Sequence, residues 1–158
     1  MIGLDTNILV RYLTRDDPAQ FQEAASLIAG IEARRESAFI PQVVLCETVW
    51  VLLRAYHIPK ERIIGTLERL LHTPVFIIEA RAQVAAALDL YRSNAGDWAD
   101  YLIVAQARAN GCTSTATFDQ QLHAQPDLFK APSEVLKGLR TRSAGRLSTP
   151  RQPRRPLK

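Results

Sequence analysis

The chain is poor in the residues that supply staple and cofactor chemistry. It has two cysteines, three histidines and one methionine among 158 residues. Cys46 and Cys112 are far apart in sequence and fit no zinc or redox spacing, which excludes a disulfide scaffold. Both are expected to behave as small buried hydrophobes. Only seven glycines occur, with no Gly-rich phosphate loop and no G-x-S-x-G elbow. His57, His72 and His123 fall at helix ends or loops with no acid or nucleophile patterned beside them, so surface roles are expected. No apolar run approaches the roughly 18 residues of a membrane span. Met1 leads directly into a strand-like segment, without the charged and apolar regions of an export leader. The expectation is a cytoplasmic protein with no membrane partner.

What is present suits one globular domain. Hydrophobic content is 47% and charged content 23%, ordinary values for a chain long enough to bury a proper core. The net charge of +4 is unevenly placed. The stretch TRSAGRLSTPRQPRRPLK holds six of the 20 Lys/Arg and no acid, leaving 14 basic residues against 16 acids elsewhere. The expected organisation is therefore a mildly acidic domain over 1–140 and a basic tail over 141–158. The tail lacks the apolar residues that offset ordering entropy and is expected to be disordered. Electrostatic attraction to nucleic-acid phosphates and a merely solvated terminus are both open for it.

Apolar periodicity predicts a strand at Ile2–Leu4, a helix over Asn7–Leu13, and a second helix begun by Asp17-Pro18. AFIP and VFII read as strands around two helices, QVVLCETVWVLLRAYH and KERIIGTLERLL, separated at Pro59. Two more helices, RAQVAAALDLYRSNAG and DWADYLIVAQARANG, are expected to end at Gly96 and Gly111. CTSTAT is a further strand, and a short strand and a last helix follow. Short strands alternating with helices indicate an α/β sandwich around a parallel sheet. The Lys60–Leu71 helix, beside the apolar one, presents either a packing face or a surface for a partner. Trp50, Trp98 and Tyr12 are expected as packing residues rather than a base-stacking platform.

In such folds ligands bind outside the carboxyl ends of the strands, and acids recur at those positions. Asp5 follows the first strand and Asp119 the last clear one. Asp97 and Asp100 lie three residues apart at a helix start, on one face. Glu47 sits inside a strongly apolar helix, which predicts a paired or functional acid. Helix capping is the plainer account of Asp5, Asp97 and Asp119, and Arg11 or Arg54 a plain partner for Glu47. Taken together, the topology is expected to gather at least three of these acids at one sheet edge. Carboxylates sharing a cleft repel, and a divalent cation relieves that. An all-oxygen set favours Mg²⁺ or Mn²⁺ over zinc.

LDTNILVRYL, CETVW, DWADYLIVAQA and TFDQQL, in that order, resemble the PIN domain, and within it the VapC toxins of bacterial toxin–antitoxin pairs. The likeness covers about Met1 to Lys137. It implies a PIN-like three-layer sandwich with a parallel sheet of about five strands, and a Mg²⁺- or Mn²⁺-dependent endoribonuclease. Asp5, Glu47, Asp100 and Asp119 would be its core acids, Asp97 an accessory acid, and Thr6, Asn7 and Thr117 polar supports. A homodimer, an RNA substrate and a cognate antitoxin are implied in the same way. Alternatives are an inactive PIN-like binding module and, ranked lower, a small-molecule phosphohydrolase; the latter's D-x-D opening is broken here by Asn7.

Overall fold

A computed structural model describes residues 1–146, with side chains described through Arg140. It divides into two compact units, Met1–Asn110 and a second that begins at Gly111. In the first unit the order is β1 (Ile2–Gly3), α1 (Thr6–Thr14), α2 (Pro18–Ala33), β2 (Ala38–Ile40), α3 (Gln42–Arg54), α4 (Lys60–His72), β3 (Phe76–Ile78), α5 (Arg81–Ser93) and α6 (Trp98–Ala109). The second unit carries β4 (Thr115–Ala116), a 3₁₀ turn at Leu122–Ala124, β5 (Phe129–Lys130) and α7 (Pro132–Arg146). α7 thus runs six residues into the expected tail; residues 147–158 lie outside the described residues.

All strand pairings are parallel, as the alternation of strands and helices requires. The order β1-β2-β3 forms one sheet and β4-β5 another. The five expected strands are therefore present, but their hydrogen bonding is divided three and two. β1, β4 and β5 are only two residues long and offer few ladder bonds. In the first sheet Ile2 faces Ala38 across β1 and β2, and Ala38 faces Phe76 across β2 and β3. The Leu4 N–H donates to the Phe39 carbonyl at 2.8 Å, so the chain leaves the sheet at Asp5.

The core is built from Leu9, Ile40, Leu45, Ile63, Val84 and Val104, each almost fully buried. Burying a side chain of this kind contributes about 1.5–3 kcal/mol. On α4 the apolar stripe Ile63, Leu67, Leu70 and Leu71 is buried, so it packs within the domain and is not a free partner surface. α3 reverses the expectation for Trp50, which is 62% exposed. Trp98 is buried as expected, and Tyr12 packs near Phe21 and Phe76. Cys112 is exposed, contrary to its expected burial, whereas Cys46 is half-buried and burial pushes its thiol pKa up.

α6 ends as its glycine predicts. Asn110 closes it and Gly111 takes φ +82°, the left-handed conformation that costs glycine little. α5 does not extend to Gly96. The Asn94 side-chain amide bonds back to the Leu90 carbonyl, and Asn94 turns to extended backbone. The Gly96 N–H instead donates to the Tyr101 hydroxyl at 2.8 Å.

Candidate functional site

Asp5 occupies the N-cap of α1, and its Oδ1 accepts the Thr6 N–H at 2.8 Å. An acid is favoured here twice, by the orphan N–H groups and by the positive end of the helix dipole. The Thr6 hydroxyl, on a residue only 7% exposed, donates to Glu47 Oε2 at 2.6 Å. That length belongs to a hydroxyl–carboxylate bond of the shorter, stronger kind. Thr6 therefore ties the two acids together, one through its backbone and one through its side chain.

α3 brings Glu47 to this point. Its N-cap, Pro41, has no side chain able to satisfy the first N–H groups. Glu79, directly after β3, supplies the missing acceptor: the Gln42 N–H donates to Glu79 Oε2 at 2.8 Å. The Glu79 N–H in turn donates to the Ile40 carbonyl, so the start of α3 is fixed to the ends of β2 and β3. Glu47 is exposed, not buried, and neither Arg11 nor Arg54 pairs with it among the described residues. The apolar residues of α3 pack inward on the far side of the helix, which sequence composition alone disguised.

Asp5, Thr6, Asn7 and Glu47 line one open cavity of about 570 Å³, together with Arg11 and Tyr56. The last two were not anticipated as site residues. Arg11 was findable, since it lies four residues beyond Asn7 and so on the same face of α1; Tyr56, past the end of α3, carried no signal. Arg11 Nη1 donates to Tyr56 Oη at 3.0 Å and to Asp16 Oδ2, while its Nε donates to Gln20. The Tyr56 hydroxyl also donates to Asp16 Oδ2 at 2.7 Å. Those hydrogen bonds, that of Tyr56 foremost, hold the Asp16 carboxyl far below the usual carboxylate range.

The other acids are placed differently. Asp97 and Asp100 form a capping box at the start of α6, with the Asp97 N–H donating to Asp100 Oδ2 at 3.0 Å. The buried rings of Trp98 and Tyr101 anchor this turn; Trp98 meets Tyr91 edge-on with centroids 5.9 Å apart. Asp97 lines a second cavity, of about 370 Å³, with Cys46, Trp50, Arg54 and Trp98. In the second unit the Asp119 N–H donates to the Thr117 hydroxyl at 3.0 Å, and Asp119 Oδ1 accepts the Gln121 N–H at 2.9 Å. His123 Nε2 contacts the Thr117 carbonyl. Among the described residues, no three His, Cys, Asp or Glu side chains converge as a ready metal cage. What the fold brings together is the pair Asp5 and Glu47.

That pair fits a hard divalent cation. Asp5 and Glu47 each engage Thr6 through one oxygen, and neither second oxygen has a protein partner among the described residues. Mg²⁺ is commonly held by one or two carboxylates, with water and substrate phosphates completing its shell. Soft ligands are absent from the cavity lining.

A parallel α/β fold that presents carboxylates where β1 passes into α1 defines a class of acid-bearing, strand-end sites. The particular family follows from comparison: the chain belongs to the PIN domain family, whose model matches residues 2–128. It is also similar to a VapC ribonuclease of Aquifex aeolicus (strain VF5), with 24% identity over 118 residues, 75% of this chain and 87% of that protein. No described helix is long and apolar enough to cross a membrane.

Proposed function

We propose that the protein is a metal-dependent endoribonuclease, the toxin of a toxin–antitoxin pair. The observation that carries this reading is the Asp5–Thr6–Glu47 constellation on one open cavity of a PIN-domain chain. The similar protein from Aquifex aeolicus is a ribonuclease of the VapC kind, which supports RNA as the substrate. The nuclease domain is assigned to residues 1–140, with Asp5, Glu47, Asp100 and Asp119 as its acids.

Asp5, Asp100 and Asp119, with Asp97 as accessory, would hold Mg²⁺ or Mn²⁺. When bound, such a cation supplies positive charge against the phosphoryl oxygens and lowers the pKa of an attacking water. Glu47, whose Oε2 accepts the Thr6 hydroxyl, would use its other oxygen to orient or deprotonate the attacking water or to hold a second cation. Asn7 and Arg11, on the same wall, offer an amide and a guanidinium to the substrate's phosphates. Thr117 holds the turn that carries Asp119. A homodimer, a cognate antitoxin and a cytoplasmic site of action complete the proposal.

The purified chain is expected to cleave single-stranded RNA with Mg²⁺ or Mn²⁺ and to stop when EDTA is added. Calorimetry should register Mg²⁺ binding that Asp5→Asn weakens. Full cleavage in EDTA, or no Mg²⁺ binding by the wild type, overturns the assignment; the second result returns the chain to an inactive binding module. Failure of the neighbouring gene's product to bind the protein or suppress cleavage removes the toxin part alone.

A further inference from the structure

Resting on the ribonuclease reading above, we infer that Trp50 is a stacking platform for an RNA base flanking the cleaved bond, with Arg54 taking a neighbouring phosphate. Val43, Glu47, Trp50 and Arg54 recur at alternating spacings of four and three residues, which places them along one face of α3. All four are exposed. Glu47 lines the cavity that holds Asp5, and Trp50 and Arg54 line the 370 Å³ cavity. α3 thus contributes residues of this face to both depressions. Trp50 lies one turn beyond Glu47, about 4.5 Å along the helix axis. That is within reach of the nucleotide next to one whose phosphate lies against Asn7 and Arg11, in the cavity that Glu47 also lines.

The chemistry of the second cavity selects its occupant. A large indole 62% exposed to water is an unusual surface investment. Base–aromatic stacking uses that area without regard to base identity. The Arg54 side chain has no ion-pair or hydrogen-bond partner among the described residues, so its guanidinium is available to an anion. A purely apolar protein segment laid over Trp50 would cover Arg54 and leave its guanidinium without water or partner, whereas Asp97 keeps the Asp100 N–H of its capping box. A nucleotide offers a planar apolar face and an anion together. Trp50 has no core-packing role, because most of its side chain faces water.

Two readouts test this. Trp98 is buried and Trp50 exposed, so fluorescence quenching by a single-stranded RNA of mixed sequence, measured in EDTA, reports on Trp50. Quenching is expected in the wild type and lost in Trp50→Phe, where only Trp98 remains. In cleavage assays Trp50→Ala should raise KM about tenfold or more, with a much smaller change in kcat, while Trp50→Phe recovers most of the loss. Arg54→Ala should raise KM and flatten its salt dependence. A wild type that cleaves RNA while Trp50→Ala keeps its KM overturns the stacking role and leaves the ribonuclease reading standing. So does a Trp50→Ala protein whose only change is in oligomeric state or antitoxin binding, which assigns the face to a protein partner. If the wild type does not cleave RNA, the ribonuclease reading falls, and absence of quenching then removes the stacking role as well.

Discussion

The Thr6 hydroxyl and Glu47 Oε2 stand 2.6 Å apart although 41 residues separate them in the chain. The contact joins the first turn of α1 to the middle of α3, and it makes Thr6 a positioning residue for a carboxylate to which the sequence offered Arg11 or Arg54 instead. Thr6→Val should preserve side-chain volume while removing the donor. We expect RNA cleavage to fall roughly 10–100-fold, the range seen when a residue orienting a site carboxylate is lost. Thr6→Ser should retain most activity, and thermal melts of both variants should show that the fold survives. Equal activity in Thr6→Val and the wild type would remove Thr6 from the site.

Asp5→Asn, Asp100→Asn and Asp119→Asn are each expected to abolish cleavage without lowering the Tm of the metal-free protein. Asparagine still caps a helix or turn, so a role confined to capping predicts a nearly silent change; loss of a cap outright costs about 0.5–2 kcal/mol. Asp97→Asn should do less, since the capping box already accounts for that acid. Glu47→Gln should be inactive with its stability intact, because no arginine is left without a counter-charge. Normal cleavage by Asp5→Asn or Glu47→Gln would sink the mechanism.

Asp16 provides a pH-dependent test away from the acids themselves. Its folded pKa is depressed by Tyr56, Thr14 and Arg11, so the ionised form stabilises the fold. That contribution is fully present above the unfolded value, 3.8, and is lost as pH falls below it toward the folded pKa. Melting curves of the wild type and Asp16→Asn should therefore differ near pH 7 and begin to converge only as pH falls below about 4, toward the depressed folded value. Salt should narrow the difference, since the network is at the surface. A gap that persists unchanged at acid pH would contradict the ionic origin.

If the basic residues of 147–158 attract RNA phosphates, removing the segment should weaken RNA binding most at low salt, whereas a merely solvated terminus predicts no change. Maximal cleavage rate should be little altered. Filter binding across a salt series, with parallel rate measurements, distinguishes this from a catalytic role, which would lower the rate at saturating RNA.

Local rules carried much of this protein. Alternating short apolar runs and amphipathic stretches determined an α/β fold with parallel pairing, because side-chain period and connection length leave few other solutions. Asp5 at the β1–α1 junction and the Asp97–Asp100 turn were legible for the same reason: capping and dipole effects act within a few residues. Which acids meet was not legible. Glu47 looked buried because its neighbours in sequence are apolar, yet 3.6 residues per turn sends those neighbours inward and leaves Glu47, Trp50 and Arg54 on the opposite face. Only the packing of α3 against the sheet and α1, with Glu79 holding its first turn, decided that Glu47 would face Thr6. The α4 stripe was undecided for a related reason, since an amphipathic pattern requires burial but does not say against what. Sequence determined the kinds of groups available at the strand ends; long-range contacts, whose partners lie tens of residues away, decided which of them share a cavity.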